Sequence, residues 1–347
     1  MLRKYSDNTD GIQSAYAAAG VDIDAANDVK ERISKDILST MQPEVIRDKF
    51  GFFCGLYELK GYKHPVIVSN TDGVGTKLEI ATAMDKYNTV GIDLVYHCVN
   101  DILTSGADPL FFLDYIAVGK LVPYQVEGII KGLTIACRDI QCSLIKGETA
   151  QMPGIFIPGG YELAGAIVGC VEKENILKNE TIKAGDIILG LPSSGIHTNG
   201  YSLVRKVFTT QRMVLDTYYR ELNRTLGEEL LEPHRCYYKD IKPVLPWVKG
   251  LAHITGSGMI GNIPRILPDH VNAHLNKNSW TVPAIFDLIQ HQGKIDEREM
   301  YHVFNMGIGM AIICSADNAP QIKERLPDAI TIGEVISRTD DRRIVIE

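Results

Sequence analysis

Apolar positions near the start of the chain recur at helical spacing: Val29, Ile33 and Ile37, within Ala25 to Leu38, predict a helix. The run Pro65-Val66-Ile67-Val68-Ser69 predicts a strand. From there to about residue 170, β-like runs alternate with helix-like segments. The clearest runs are Phe111 to Leu113, Ser143 to Ile145 and Ala164 to Gly169, and a helix is expected over Val122 to Cys137. Polar segments at Val171 to Asn175 and Lys178 to Glu180, then a turn signal at Lys183-Ala184-Gly185-Asp186, put a boundary near 171–185. A strand restarts at Ile187 to Gly190, and the mixed pattern continues to a last strand at Arg343 to Ile346. The pattern contains no short repeat. It predicts two layered domains, residues 1–172 and 173–347, of α+β or α/β class.

Length supports that division, because 347 residues exceed one ordinary core. Hydrophobic content of 45% and charged content of 23% are those of a globular protein. The net charge of −7 argues against general nucleic-acid binding but not against a phosphorylated small molecule, which backbone N–H groups and a few cations can hold. The seven cysteines form no C-x-x-C pair, and most sit in apolar runs, which predicts buried free thiols. Met1 to Asp7 has no apolar signal-peptide core and no run is long enough to span a bilayer, so a cytoplasmic protein without membrane contact is expected.

Carboxylates follow apolar runs repeatedly: Asp72, Asp93, Asp101, Asp114 and Glu148. If these runs are strands ending at one sheet edge, their acids converge, and a cation would offset the repulsion. Hard oxygen ligands suit Mg2+, which favours phosphate partners. Spacing alone equally fits separate surface caps. In Asn70-Thr71-Asp72-Gly73-Val74-Gly75-Thr76-Lys77 two glycines allow close backbone approach to an anion, with Lys77 as a cation and Asp72 as a metal ligand. This is not G-x-x-x-x-G-K-[ST], and a plain β-turn is the alternative.

Two loops in the second half are candidate phosphate cradles. Leu191 to Gly200 lies between a strand and the helix-like Tyr201 to Val207, and offers Ser194, Gly195, His197 and Asn199. His197 could bind an anion or move a proton near neutral pH. His253 to Asn262 contains G-x-G-x-x-G at Gly256, Gly258 and Gly261, yet Pro264 limits any helix there and no acid follows at the dinucleotide-binding distance. The loop is instead a second glycine-rich anion site, with Thr255 beside Gly256. Asn305 to Met310 is a weaker candidate that also fits a strand.

Taken together these segments resemble the phosphoribosylformylglycinamidine cyclo-ligase (aminoimidazole ribonucleotide synthetase) family. The resemblance rests on Gly20 to Ala25, Asn70 to Lys77, Gly91 to Val95, Cys98 to Ile102, Gly106 to Tyr115, Gly147 to Gly154, Ser193 to Lys206, His253 to Gly256, Asn262 to Arg265 and Tyr301 to Met310. It implies a two-domain α+β protomer whose N-terminal half pairs into a dimeric β-barrel flanked by helices, completed by a sandwich-like C-terminal half. It also implies conversion of formylglycinamidine ribonucleotide and ATP to aminoimidazole ribonucleotide, ADP and phosphate. By matching position, Asp72, Asp93, Asn100, Asp101 and Glu148 would surround Mg-ATP, with Asp114 a further candidate. Gly73, Val74, Gly75, Thr76 and Lys77 would cradle phosphates. His197, Ser194, Gly195, Asn199, Thr255 and Gly256 would hold the substrate or move its proton.

The chain departs from the family pattern at Ala17 and Ala18, around Lys49 to Gly55, at Ser34, and at Lys146 and Gln151. These changes bear on the grip on adenosine. Two rivals follow: another ATP-using relative, such as selenophosphate synthetase, thiamine-monophosphate kinase or a hydrogenase-maturation protein, or a nucleotide-binding paralog without catalysis. The first 50 residues contain no cysteine, which argues against selenophosphate synthetase.

Overall fold

The computed structural model describes residues 15–46, 53–157, 159–209, 211–338 and 340–347. Most of the departure at Lys49 to Gly55 lies outside them. The first half opens with a short turn of helix, α1 (Ala15–Ala18), and α2 (Ile23–Leu38), capped by Asp22, whose carboxylate accepts from the Ala25 N–H. The predicted Val29 and Ile33 are its buried positions. Four strands, β1 (Pro65–Gly73), β2 (Asp108–Val118), β3 (Ser143–Gln151) and β4 (Tyr161–Glu172), form a sheet in the order β1-β4-β2-β3. Between β1 and β2 run α3 (Lys77–Met84) and α4 (Asn88–Leu103). Helix α5 (Pro123–Asp139) is the crossover that makes β2 and β3 parallel, and the other pairs are antiparallel.

Helix α4 is wedged between this sheet and α5, so it is buried almost all round. Two glycines let the helices touch: a Cβ on Gly132 would lie 1.9 Å from the Asn88 carbonyl oxygen. The opposite face of the sheet is open, with Ile67 57% and Tyr115 41% exposed. Among the described residues the sheet does not close into a barrel.

The second half carries β5 (Ile187–Pro192), helix α6 (Tyr201–Val207), a two-residue hairpin β6 (Tyr218–Tyr219) and β7 (Arg224–Thr225), then β8 (Val248–His253), β9 (Val271–Leu275), β10 (Ile308–Cys314), β11 (Ile330–Ser337) and β12 (Ile344–Ile346). Its main sheet has the order β12-β9-β11-β5-β10-β8, antiparallel except for β12 on β9. The molecule is thus a two-part mixed α+β fold. Strand β10 is buried at every position, and one apolar cluster runs across both halves. Of the cysteines, Cys98, Cys137, Cys142, Cys170 and Cys314 are buried free thiols as expected, whereas Cys54 is exposed. No helix among the described residues is long and apolar enough to cross a membrane.

Candidate functional site

The end of β1, one face of α4 and the end of β8 enclose a cleft of about 480 Å3, lined by Asn70, Asp72, His97, Asp101, His253, Thr255, Asn262 and Arg265. Asp93 and Asp101 do not follow strands. They belong to α4, where Asp93, His97, Asn100 and Asp101 share one face at i, i+4, i+7 and i+8.

His97 organises the acids at the mouth. Its Nε2 lies 2.9 Å from Asp72 Oδ2 and 3.7 Å from Asp101 Oδ2, and its Nδ1 meets Thr198 Oγ1 at 2.7 Å. Burial alone would raise Asp72, but His97 and the Gly73 N–H outweigh it and hold its carboxyl below the usual range. The same balance lowers Asp101, whose burial is overcome chiefly by His253. Burial lowers His97, yet Asp72 and Asp101 more than reverse that, leaving it raised. Asp101 is fixed twice: Asn70 Nδ2 donates to Oδ2 at 2.7 Å, and Oδ1 lies 2.7 Å from His253 Nδ1.

Behind this wall sits a buried polar layer. Lys77 and Asp93 are fully buried, and Lys77 Nζ donates to Asp93 Oδ1 at 2.9 Å, to the His197 carbonyl at 3.1 Å and to the Glu232 carbonyl at 2.8 Å. Its second approach to Asp93, Oδ2 at 2.8 Å, is a contact of charge without hydrogen-bond angles. Burial lowers Lys77 and raises Asp93, and each partly restores the other. Asn100 holds the neighbouring segment, donating to the Arg235 carbonyl and accepting from the Tyr237 N–H. The rings of His97, His197, His234 and His253 cluster here, with His197 stacked on His234 at 3.8 Å between centroids.

The structure brings Asp72, Asp101 and Thr255 to the cleft and puts Lys77, Asp93, Asn100 and His197 in the layer behind it. The Ser193 to Gly200 loop is tied down internally. Ser194 donates its hydroxyl to the Pro233 carbonyl and its N–H to His197 Nε2, and Asn305 donates to the carbonyls of Gly195 and Ile196. His197 adopts a left-handed φ of 69°. Asn199 lies beside Gly256, 3.7 Å from where a Cβ would stand. Val74 is buried, while Gly75, at φ 68°, has nothing within 4 Å of a Cβ position, and Thr76 meets the Ser202 hydroxyl at 3.2 Å. Asp114 shares a cross-strand row with Asp72 through Gly165, two strand spacings or roughly 10 Å away. Burial, with Glu148 adding repulsion, pushes Asp114 up to about 7. Glu148 is exposed on β3. Sequence reasoning missed His97, His234 and His253 as a group. The i, i+4 spacing of Asp93, His97 and Asp101 was the signal available.

A sheet half joined to a second α+β half is a two-domain fold seen in solved structures. One is the thiamine-monophosphate kinase from Stenotrophomonas maltophilia K279a, at TM-score 0.66 and 15% identity, covering 91% of this chain and 95% of that one. Another is the hydrogenase maturation protein HypE in complex with ATP, at TM-score 0.66 and 15% identity, covering 92% and 91%. The chain belongs to the AIR synthase related family: the family's N-terminal domain model matches residues 54–171 and its C-terminal domain model residues 183–346. It is 48% identical over 331 residues to a phosphoribosylformylglycinamidine cyclo-ligase of Geobacillus thermodenitrificans, covering 93% of this chain and 95% of that relative. The enzyme of the same name from Thermoanaerobacter pseudethanolicus is 50% identical over 327 residues, covering 92% and 97%.

Proposed function

We propose that this chain is a phosphoribosylformylglycinamidine cyclo-ligase of purine biosynthesis, which closes formylglycinamidine ribonucleotide to aminoimidazole ribonucleotide with ATP as the activating co-substrate. The observation that carries the reading is near-full-length identity of about one half to relatives of that name. The thiamine-monophosphate kinase and HypE likenesses, at 15% identity, support only the fold.

The chemistry transfers a phosphoryl group to the formamide oxygen. The amidine nitrogen then attacks that carbon, and phosphate leaves. Catalysis of this kind rests on positioning and charge neutralisation. Asp72 and Asp101, held ionised at the cleft by His97 and His253, are hard oxygen donors that fit Mg2+. A bound Mg2+ supplies positive charge against the phosphates. Asp114 lies farther along the face that carries Asp72, whereas Glu148 pairs with Tyr115 on the open face and stands outside that acidic row. The open backbone at Gly75 supports phosphate approach, whereas Gly73 faces the Glu162 carboxylate and the Leu163 carbonyl and gives its N–H to Asp72; exposed Arg265 at the rim suits a ribonucleotide phosphate. Asn199, Thr255 and Gly256 are the substrate contacts of this reading.

Lys77, Asp93 and Asn100 take a different part from the one their motifs suggest. Their polar atoms are engaged by one another, by the Glu232 and Arg235 carbonyls and by the N–H groups of His234 and Tyr237. They therefore anchor the 232–237 segment beneath the cleft. The open sheet face around Ile67 and Tyr115 supports a homodimer in which two such sheets close a barrel. The domain division 1–172 and 173–347, an acidic cytoplasmic protein, and no nucleic-acid or membrane partner complete the proposal.

The test is purified protein with formylglycinamidine ribonucleotide and Mg-ATP, followed for ADP and for the aminoimidazole product. Turnover is expected, and Asp72→Asn abolishes it while the oligomer persists. Full activity in that variant refutes the role given to Asp72, and absence of product from the unaltered chain refutes the assignment.

A further inference from the structure

His234 lies in an irregular stretch, outside the cleft and fully buried, yet three interactions fix it. Its N–H donates to Asp93 Oδ1 at 2.7 Å, its ring stacks on His197 at 3.8 Å, and its Nε2 lies 3.0 Å from His253 Nε2. We infer that His234 is a positioning residue for the reaction: it donates its Nε2 proton to His253 and thereby forces His253 into the tautomer that holds Asp101 at the cleft.

The argument is one of proton inventory. Asp101 is a carboxylate and can only accept, so the proton between Asp101 Oδ1 and His253 Nδ1 sits on the imidazole. A neutral ring has one proton, so His253 Nε2 is bare and must accept. The group facing it is His234 Nε2, which must therefore carry the hydrogen. A second observation gives the same assignment. His234 Nδ1 is buried without a partner, and an unpaired buried acceptor is tolerated better than an unpaired buried N–H. A doubly protonated His253 would need a bare His234 Nε2, which would put the only hydrogen of His234 on its unpartnered, buried Nδ1, the costlier arrangement. The chain Asp101–His253–His234 thus has a direction, with each ring donating toward the cleft.

The consequence reaches the working surface. Asp101 is clamped by Asn70 on one oxygen and His253 on the other. With His253 in the opposite tautomer, a bare Nδ1 would face the carboxylate, repel it and turn it away. The three imidazoles of His197, His234 and His253 also have nitrogens within 4.8 Å of one another. A shared metal ion is the poorer reading of that cluster. His197 Nε2 already accepts from the Ser194 N–H, and the stack of His197 on His234, at 23° between planes, directs their in-plane lone pairs past one another.

The kinetic part of this inference rests on the proposed cyclo-ligase activity; the tautomer does not. Long-range proton–nitrogen spectra of the full chain, labelled at histidine nitrogen and assigned with His253→Gln and His234→Leu, read the tautomers directly. His253 is expected as a neutral ring protonated at Nδ1, and His234 as one protonated at Nε2. In His234→Leu the His253 signature shifts, and kcat falls about 10- to 100-fold, the range for partners that orient site residues. His234→Gln, whose amide can donate to His253, restores both. A His253 protonated at Nε2 in the unaltered chain overturns the inference even if no variant folds. So does an unchanged His253 signature or unchanged kcat in a folded His234→Leu. A chain that turns over no formylglycinamidine ribonucleotide leaves the spectra to decide alone.

Discussion

His97 joins the two halves of the chain, its Nδ1 2.7 Å from Thr198 Oγ1 in the second half while its Nε2 holds Asp72 Oδ2 at 2.9 Å in the first. One ring therefore sets both the closure of the cleft and the charge of an acid inside it. Replacing it with His97→Leu keeps the volume and strands both partners. Loss of about 1–3 kcal/mol is expected from denaturant unfolding, the cost of leaving buried polar groups unmet. A fall in kcat/KM of more than about tenfold should accompany it, since 1.4 kcal/mol in the activated state is already tenfold. Unaltered kinetics in a stable His97→Leu would remove Asp72 from the working surface.

Lys77 invites two incompatible expectations. As a phosphate ligand, Lys77→Met would impair turnover and leave stability alone. As the buried partner of Asp93 it would do the reverse first, leaving an uncompensated charge at about 3–5 kcal/mol. Urea midpoints distinguish these. We expect the large destabilisation, with the double replacement Lys77→Met and Asp93→Leu recovering a substantial part of it.

The Lys77 case shows where the sequence was readable. Strand positions such as Pro65 to Ser69 and Ala164 to Gly169, and the helix at Val122 to Cys137, follow from local pattern and lie in β1, β4 and α5. Asp93 and Asp101 follow apolar runs that read equally as strand ends or separate caps, and they lie instead on α4, which is enclosed by sheet and helix. A helix buried on most sides shows apolar runs rather than a stripe, and its period is masked. Lys77 follows two glycines, which suggests an anion loop, but α3 begins at Lys77 itself and carries the ammonium inward. His234 had no local signal at all, since its neighbours obey no period and its partners are 19 to 141 positions away. Resemblance to a family supplied the reaction, and only tertiary structure separated the acids that face the cleft from those that support it.

The crossing of α4 and α5 offers a test of packing remote from the chemistry. A Cβ at position 132 would stand 1.9 Å from the Asn88 carbonyl oxygen and 3.1 Å from the Gly91 Cα, all backbone atoms that cannot yield separately. Gly132→Ala, though favourable for helix propensity, should cost about 2–3 kcal/mol as the helices are forced apart. Because α4 carries the cleft face, the thermal midpoint and kcat/KM should fall together. A stabilised Gly132→Ala would show that the helices are less closely packed.

The histidine cluster predicts an asymmetric dependence of stability on pH. Burial, reinforced by neighbouring positive charge, holds His197 and His234 well below the ordinary 6.5, and burial lowers His253 despite Asp101. A group lowered in the folded state stays neutral there while the unfolded chain takes up its proton. Its contribution is therefore complete above about 6.5 and is lost as pH falls. Each such ring contributes a slope of up to about 1.4 kcal/mol per pH unit on the acid side. His97 has the opposite sign: it is raised, so its contribution is complete below about 6.5 and fades as pH rises through its folded value. Three rings act on the acid limb and one on the alkaline limb; Asp114, raised to about 7, keeps its proton in the fold and offsets the equivalent of one ring on the acid side. Denaturant unfolding between pH 5 and pH 8 should then show a maximum near neutrality with a steeper fall toward acid. His234→Leu should flatten the acid limb, and His97→Leu should flatten the alkaline one. Symmetric limbs, or limbs indifferent to these replacements, would mean that the rings are hydrated and titrate as they do in the unfolded chain.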